Sequence, residues 1–165
     1  TRVPSAATVS TTETAAEKIL EKKYPEFKGR IEKAGLGSTI YAVKPGDGSA
    51  REQAASCQRV LGASANIASD YATKRYRSNL INWGMIPFLY KQGDTAATEN
   101  LPFANGDYIF VPGAKKMIAE KLPGVKAYAV RADGTTAEFD LATGDMTDDE
   151  RKIIQAGCLI NFYRG

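Results

Sequence analysis

The sequence contains no histidine, two cysteines and one tryptophan. The missing histidine excludes a Ser-His-Asp triad and a histidine-based metal site within this chain. The two cysteines, Cys57 and Cys158, lie far apart and neither belongs to a C-x-x-C pair, which predicts reduced and partly buried thiols. Because an iron–sulfur cluster is held by more thiolates than these, no metal or cluster site is expected in this chain.

Long apolar segments and a strong charge of one sign are also absent. No stretch is long and apolar enough to cross a membrane and no signal-peptide pattern opens the sequence, which predicts a soluble, cytoplasmic protein. The 22 basic and 19 acidic residues give a net charge of +3 without a basic block, which argues against nucleic acid as a partner. We interpret the neighbouring cations Lys74, Arg75 and Arg77 as the solvated face of a helix.

The composition fits one domain with one core, since 43% of the 165 residues are hydrophobic and 25% are charged. Residues 1–9 are small, polar and aperiodic, and the first of them is threonine instead of methionine. We interpret residues 1–9 as a linker or boundary segment of something longer, and residues 10–165 as the folded domain.

Helix and strand patterns alternate along this domain. Capping boxes at Ser10 and Ser49 and a cap at Thr147 predict three helix starts, and residues 72–83 have the periodicity of another helix. The Asp-Gly pair at residues 133–134 marks a β-hairpin. The predicted strands are residues 39–43, which we expect to be buried, and residues 63–69, 86–90, 107–111, 125–131 and 135–141. The alternation predicts an α/β fold with a mixed sheet and flanking helices.

The most informative stretch is the glycine-rich loop Gly46-Asp47-Gly48-Ser49, which follows a predicted strand and precedes a predicted helix. Ligands bind at the carboxyl ends of strands in this arrangement. The start of a helix offers unpaired N–H groups and about half a positive charge, which attract carboxylate or phosphate. Arg51 adds a permanent, fork-shaped donor beside them. If the ligand is a hydroxy acid, the Ser49 oxygen could exchange a proton with the carbon next to the bound carboxylate.

A structural interpretation of the same residues stands beside this one. Ser49 and Glu52 have the spacing of a capping box, with Ser49 as the N-cap and Ala50 as the first helical residue. Most such sequences only cap a helix. The spacing by itself therefore does not distinguish a capping serine from a catalytic one.

Three blocks of the sequence resemble the C-terminal swivel domain of the aconitase family, which includes homoaconitase and isopropylmalate isomerase. Residues 46–55, GDGSAREQAA, resemble the family signature GEGSSREHAA. Residues 76–88, YRSNLINWGMIPF, resemble the stretch H-R-x-N-L-I-N-x-G-I-L-P-L, and residues 148–161 resemble the closing segment E-x-x-x-I-x-A-G-x-L-N. The blocks keep the family's order and span most of residues 40–163.

This resemblance implies a swivelling β/β/α domain over residues 10–165 that closes on a cluster-bearing body. It implies that Ser49 is the base that takes a proton from carbon, that Arg51 binds a substrate carboxylate, and that Gly48 and Ala50 are further substrate-binding positions. The implied reaction is the reversible dehydration of a hydroxy-di- or tricarboxylic acid on a 4Fe-4S cluster. The cluster-bearing domains would belong to the same chain or to a partner chain, and the isolated chain is expected to be inactive.

Several positions depart from the family pattern. Ala50 replaces a second serine, Gln53 replaces a histidine, and Lys74 and Tyr76 stand where the family usually has arginine and histidine. A substrate arginine that the family carries upstream has no clear counterpart. Three interpretations stay open: an active but divergent hydratase, an enzyme with altered substrate choice, and a degenerate non-catalytic binding module. A separate small subunit, as in isopropylmalate isomerase, is a further alternative.

Overall fold

Helices and strands alternate in the computed structural model, which describes residues 6–31, 34–90 and 101–164. The strands are β1 (Ser38–Ala42), β2 (Ala63–Ala68), β3 (Ile86–Leu89), β4 (Tyr108–Phe110), β5 (Gly124–Val130) and β6 (Thr136–Ala142). The helices are α1 (Ala6–Lys23), α2 (Arg51–Val60), α3 (Lys74–Asn82), α4 (Ala114–Glu120), α5 (Asp148–Ala156) and α6 (Leu159–Arg164), with a 3₁₀ helix at Pro25–Phe27. The strands form one mixed sheet in the order β1-β2-β3-β6-β5-β4. The predicted α/β fold with a mixed sheet and flanking helices is confirmed.

The chain divides into two compact units. The smaller unit takes the described residues of ranges 1–35, 102–110 and 127–139, and the larger unit takes those of ranges 36–101, 111–126 and 140–165. In the described part of the chain, no helix has the length and apolar character needed to cross a membrane.

In the larger unit, β2 pairs in parallel with β1 on one side and with β3 on the other. The small side chains of Ala55, Ala63 and Ala68 share a buried core with the rings of Tyr71 and Tyr76. The Tyr71 hydroxyl donates a hydrogen bond to the carbonyl of Phe88 at 3.1 Å. Burial raises the pKa of the Tyr71 phenol well above its usual value.

Aromatic rings hold the smaller unit together. Strands β4 and β5 pair antiparallel there. Phe27 follows α1 and meets Phe110 of β4 and Tyr128 of β5 edge to face, with ring centroids 5.3 and 5.1 Å apart. Such pairs contribute about 1 kcal/mol beyond their buried area. This core forms from chain segments that are distant in sequence.

Most predicted elements lie where the sequence patterns indicate. Thr147 caps α5 with a complete capping box, since its side chain accepts from the Glu150 amide and the Glu150 side chain accepts from the Thr147 amide. The hairpin turn follows β5 as predicted, and the amide of Arg131 donates to the carbonyl of Thr135 at 2.9 Å. Residues 91–100, most of the predicted polar loop, lie outside the described residues.

Five local predictions are wrong. Helix α1 begins at Ala6 instead of Ser10, because a run of small residues continues the helix toward the N-terminus. The first half of β1 is exposed instead of buried, because β1 is the edge strand of the sheet. Cys57 is exposed on α2, which contradicts the prediction of two partly buried thiols; both cysteines are free. The fourth and fifth corrections concern Ser49 and Arg77 and are described with the site.

The close approach of Gly84 to Gly157 provides a test of this packing. Gly84 has φ +73°, and a Cβ atom there would collide with the carbonyl oxygen of Gly157. Gly62 has a similar φ of +88° but no atom lies within 4 Å of the place a Cβ would take. We expect Gly84→Ala to lower the free energy of unfolding by about 3 kcal/mol and the control Gly62→Ala by about 1 kcal/mol. Urea unfolding followed by Trp83 fluorescence measures both, and equal losses would contradict the packing.

Candidate active-site loop

The glycine-rich loop leaves the carboxyl end of β1, and its base is fastened to the segment that follows β2. The carbonyl of Val43 accepts from the amides of Ser69 and Asp70, at 3.1 and 3.0 Å. The carbonyl of Pro45 accepts from the amide of Ala72 at 2.9 Å. These bonds fix the base of the loop at the end of the sheet where α/β proteins bind ligands.

Gly46 is the point at which the loop turns toward α2. Its φ is +98°, and a Cβ atom at this position would lie 2.5 Å from the Cβ of the buried Tyr76. Glycine is therefore required on both conformational and steric grounds. The carbonyl of Gly46 accepts two hydrogen bonds, from Nε of Arg51 at 3.1 Å and from Oγ1 of Thr73 at 3.2 Å.

The tip of the loop is open to solvent. Gly48, Ser49 and Ala50 are all exposed, and a Cβ atom at Gly48 would meet nothing within 4 Å. Within the described residues, no hydrogen-bond partner is found for the Ser49 hydroxyl. The serine oxygen is therefore accessible, as a base acting on a bound molecule must be.

The capping box predicted for Ser49 and Glu52 does not form. Helix α2 starts one residue later, with Ala50 as its N-cap and no side-chain cap, and the Ala50 carbonyl accepts from the amide of Ala54 at 3.0 Å. The Glu52 carboxylate instead accepts from Nε1 of Trp83 at 3.1 Å, across the contact between α2 and α3. The Ser49 hydroxyl is thereby released from the structural role that its spacing indicated.

Unpaired amides and the Arg51 guanidinium lie together at the start of α2, whose first turn also carries the Glu52 carboxylate. The first amides of this helix have no intrahelical acceptor and no side-chain cap, so the positive end of the helix dipole faces the loop. Arg51 is half-buried and uses Nε to contact Gly46, while no acceptor in the described ranges contacts its two Nη groups. Asp47 is exposed in the same loop and is the one negative side chain within it. The arrangement can bind a carboxylate by two parallel hydrogen bonds.

The positions that depart from the family pattern have separate environments. Tyr76 is 2% exposed, and its hydroxyl accepts from Nε2 of Gln58 at 2.8 Å and Nδ2 of Asn66 at 3.1 Å, so it belongs to the core. Gln53 and Lys74 are exposed. Tyr76 therefore packs beneath the loop and does not face a ligand.

Arg77 corrects the interpretation of the cationic cluster as a solvated face. Its side chain is 17% exposed and its Nη2 donates to the carbonyls of Thr143 and Asp145, at 3.2 and 2.6 Å. Its Nη1 lies 3.6 Å from the Glu150 carboxylate. Lys74 and Arg75 are exposed as predicted, whereas Arg77 fastens α3 to the segment before α5.

The described side chains are not arranged to hold a metal ion or an iron–sulfur cluster. No group of three or more His, Cys, Asp or Glu residues that could hold a metal occurs among the residues the structure describes. A cluster requires more thiolates than Cys57 and Cys158 provide. An open cavity of about 600 Å³ lies in the larger unit between Leu89, Gly124 and Gly144, and the residues that line it include none of the loop.

Sequence reasoning missed Thr73, whose hydroxyl contacts the loop through Gly46. The available signal was a threonine at the start of the helical pattern of residues 72–83, a residue type that favours an N-cap but does not reveal a contact 27 residues away. The predicted site residues occupy four consecutive positions at the end of the loop. Gly48, Ser49 and Ala50 are exposed, and Arg51 is half-buried.

Known proteins share this sequence pattern. The family model of the aconitase C-terminal domain matches residues 7–93. Aconitate hydratase A of Rickettsia felis is 31% identical over 124 residues, which cover 74% of this chain and 14% of that protein. Aconitate hydratase A of Rickettsia bellii is 29% identical over 129 residues, covering 78% and 14%, and that of Deinococcus radiodurans is 38% identical over 87 residues, covering 50% and 9%. The chain thus spans about one-seventh of the length of the first two relatives.

The exposed hydroxyl of Ser49 leads to a test of stability. Because Ser49 does not cap α2, we expect Ser49→Ala to change the free energy of unfolding by less than about 0.5 kcal/mol. Thr147 does cap a helix, so the matched variant Thr147→Ala should lose about 1 kcal/mol. Urea unfolding of both variants measures the difference. An equal loss in Ser49→Ala would restore the capping assignment.

Proposed function

Because this chain belongs to the aconitase family, as its C-terminal domain, we propose that it supplies the base and a carboxylate-binding arginine to a larger aconitase-like hydro-lyase. The reaction proposed is reversible dehydration and hydration of a hydroxy-di- or tricarboxylic acid. The observation that carries the proposal is the exposed tip of the loop, where Ser49 has no partner among the described residues and Arg51 leaves its Nη groups open.

Binding comes first in the proposed mechanism. A substrate carboxylate accepts from the Nη groups of Arg51 and from the free amides at the start of α2. Gly48 and Ala50 place backbone, without a polar side chain, on either side of Ser49. The Ala50 methyl group cannot donate as a serine hydroxyl would, which leaves the amides and the guanidinium as the donors to the bound acid.

Proton transfer then takes place at Ser49. As an alkoxide, the Ser49 oxygen takes the proton from the carbon next to the bound carboxylate. The electron pair of that C–H bond forms the carbon–carbon double bond, and the carbon–oxygen bond on the adjacent carbon breaks with release of hydroxide. The helix amides and the guanidinium of Arg51 stabilise the negative charge of the alkoxide. A 4Fe-4S cluster held by domains outside this chain would polarise the departing hydroxyl group. In hydration, the Ser49 hydroxyl returns the proton to carbon.

The proposal assigns the remaining parts of the enzyme elsewhere. The partners are the small carboxylic acid and the cluster-bearing domains of the same chain or of a partner chain. Neither a nucleic acid nor a membrane is proposed as a partner, and the proposed location is the cytoplasm. This chain by itself is inactive, because its two cysteines cannot supply the cluster. A separate small subunit, as in isopropylmalate isomerase, would use the loop in the same way.

A second candidate function is a binding module that has lost catalysis. The observation that favours it is Ala50, which removes one of the two serines of the family signature while leaving the amides of α2 open to an anion. Both candidates bind a carboxylate at the same loop. They differ in whether the acid is converted.

The test is turnover by the full-length protein with its cluster reconstituted. Citrate, isocitrate, homocitrate and isopropylmalate are each supplied, and formation of the unsaturated acid is followed by ultraviolet absorbance. We expect one of these acids to be dehydrated, and Ser49→Ala to lower kcat by more than about 10³-fold because the base is lost.

The control variant is Ser56→Ala. Ser56 lies within α2, and its hydroxyl donates to the carbonyl of Gln53 at 3.1 Å, remote from the loop tip. This variant should keep the activity of the wild type. Normal turnover in Ser49→Ala would reject the base assignment, and binding of the acids by the wild type without conversion would favour the binding module.

A further inference from the structure

Thr73 joins the start of α3 to the loop that carries Ser49. Its Oγ1 donates to the carbonyl of Gly46 and accepts from the amide of Tyr76, both at 3.2 Å. A hydroxyl group has one proton and two lone pairs, so the two bonds do not compete. The same oxygen therefore caps α3 and reaches the loop 27 residues earlier in the chain.

The Gly46 carbonyl that accepts from Thr73 also contacts Arg51. It accepts from Nε of Arg51 at 3.1 Å, beside the bond from Thr73. A guanidinium is planar, so a fixed Nε–H sets the direction of both Nη groups. Two parallel hydrogen bonds to a carboxylate depend on that direction. Thr73 therefore bonds to the same carbonyl that orients Arg51, the residue proposed to bind the carboxylate.

We propose that Thr73 is a positioning residue for carboxylate binding, which acts through the Gly46 carbonyl on the guanidinium of Arg51. The inference rests on the proposed function, since it takes Arg51 as the group that binds the acid. Without the Thr73 hydroxyl, the Gly46 carbonyl loses one of its two donors and the guanidinium is less firmly oriented before the acid arrives. Ordering it on binding then reduces affinity.

The experiment measures binding and turnover separately in the full-length protein with its cluster. Binding of propane-1,2,3-tricarboxylate, which has no hydroxyl group to eliminate, is measured by calorimetry, and KM and kcat are measured with the acid that the wild type converts. We expect Thr73→Val to raise Kd and KM by about fivefold, as for one lost hydrogen bond, and to change kcat by less than about twofold. Thr73→Ser keeps the hydroxyl and should restore both constants.

Two controls separate positioning from the loss of a helix cap. Thr147→Val removes a threonine cap from α5, and the hydrogen bonds found for Thr147 among the described residues all stay within the start of that helix. This variant should lower the melting temperature about as much as Thr73→Val without changing Kd. In an Arg51→Lys background, which lacks Nε, Thr73→Val should have no further effect on Kd.

The outcomes distinguish this inference from the function on which it rests. The positioning role would be overturned if Thr73→Val and Thr147→Val had the same Kd. It would also be overturned if Thr73→Val raised Kd by the same factor in the wild-type and Arg51→Lys backgrounds. If the tricarboxylate binds equally well to the wild type and to Arg51→Lys, Arg51 is not the carboxylate ligand and the proposed site fails as well. If the wild type turns over the acid and Thr73→Val has the same Kd and KM as the wild type, the positioning role alone is rejected.

Discussion

The carbonyl oxygen of Gly46 is the acceptor on which the arrangement of the loop depends. It receives Nε of Arg51 and Oγ1 of Thr73, at 3.1 and 3.2 Å, while the Tyr76 side chain packs directly beneath the residue. The positive φ and the lack of space for a side chain make glycine necessary at this position. One backbone group therefore sets the base of the loop, the plane of a guanidinium and the start of α3.

The loop combines a fixed base with an open tip. Backbone hydrogen bonds from residues 69–72 hold the carbonyls of Val43 and Pro45, whereas Gly48, Ser49 and Ala50 are exposed. A catalytic group must be held in place and yet be accessible to the substrate. The parallel strands β1 and β2 provide the fixed base, and the start of α2, which has no side-chain cap, provides unpaired amides that could receive an anion.

Much of the fold follows from local sequence signals. The capping box of Thr147 and Glu150 and the Asp-Gly turn are complete within a few residues, so the sequence predicts them correctly. The Ser49 box has the same spacing but fails, because Glu52 bonds to Trp83, a partner 31 residues away that spacing does not reveal. The exposure of β1 depends on its place at the edge of the sheet, which is also a tertiary property.

The candidate site shows the same division. Ser49 and Arg51 are two residues apart, so the sequence motif is enough to select them as candidates. In the structure they lie at the end of the same loop, with Ser49 exposed and Arg51 half-buried. Thr73 and Tyr76 reach the loop only through the fold, and Arg77 becomes part of the packing of α3 for the same reason. The sequence therefore predicts which residues would meet a ligand, and this stays a prediction, whereas the residues that hold them in place are found only in the structure.

Hydrogen exchange of the first amides of α2 tests most directly whether this loop is an open anion site. In the full-length protein without ligand, the amides of Arg51, Glu52 and Gln53 should exchange rapidly, whereas those of Ser69, Asp70 and Ala72 should be protected by their bonds to the loop carbonyls. Saturation with propane-1,2,3-tricarboxylate should slow exchange at Arg51, Glu52 and Gln53. Protection of these amides before the acid is added, or exchange that stays rapid at saturation, would contradict the account.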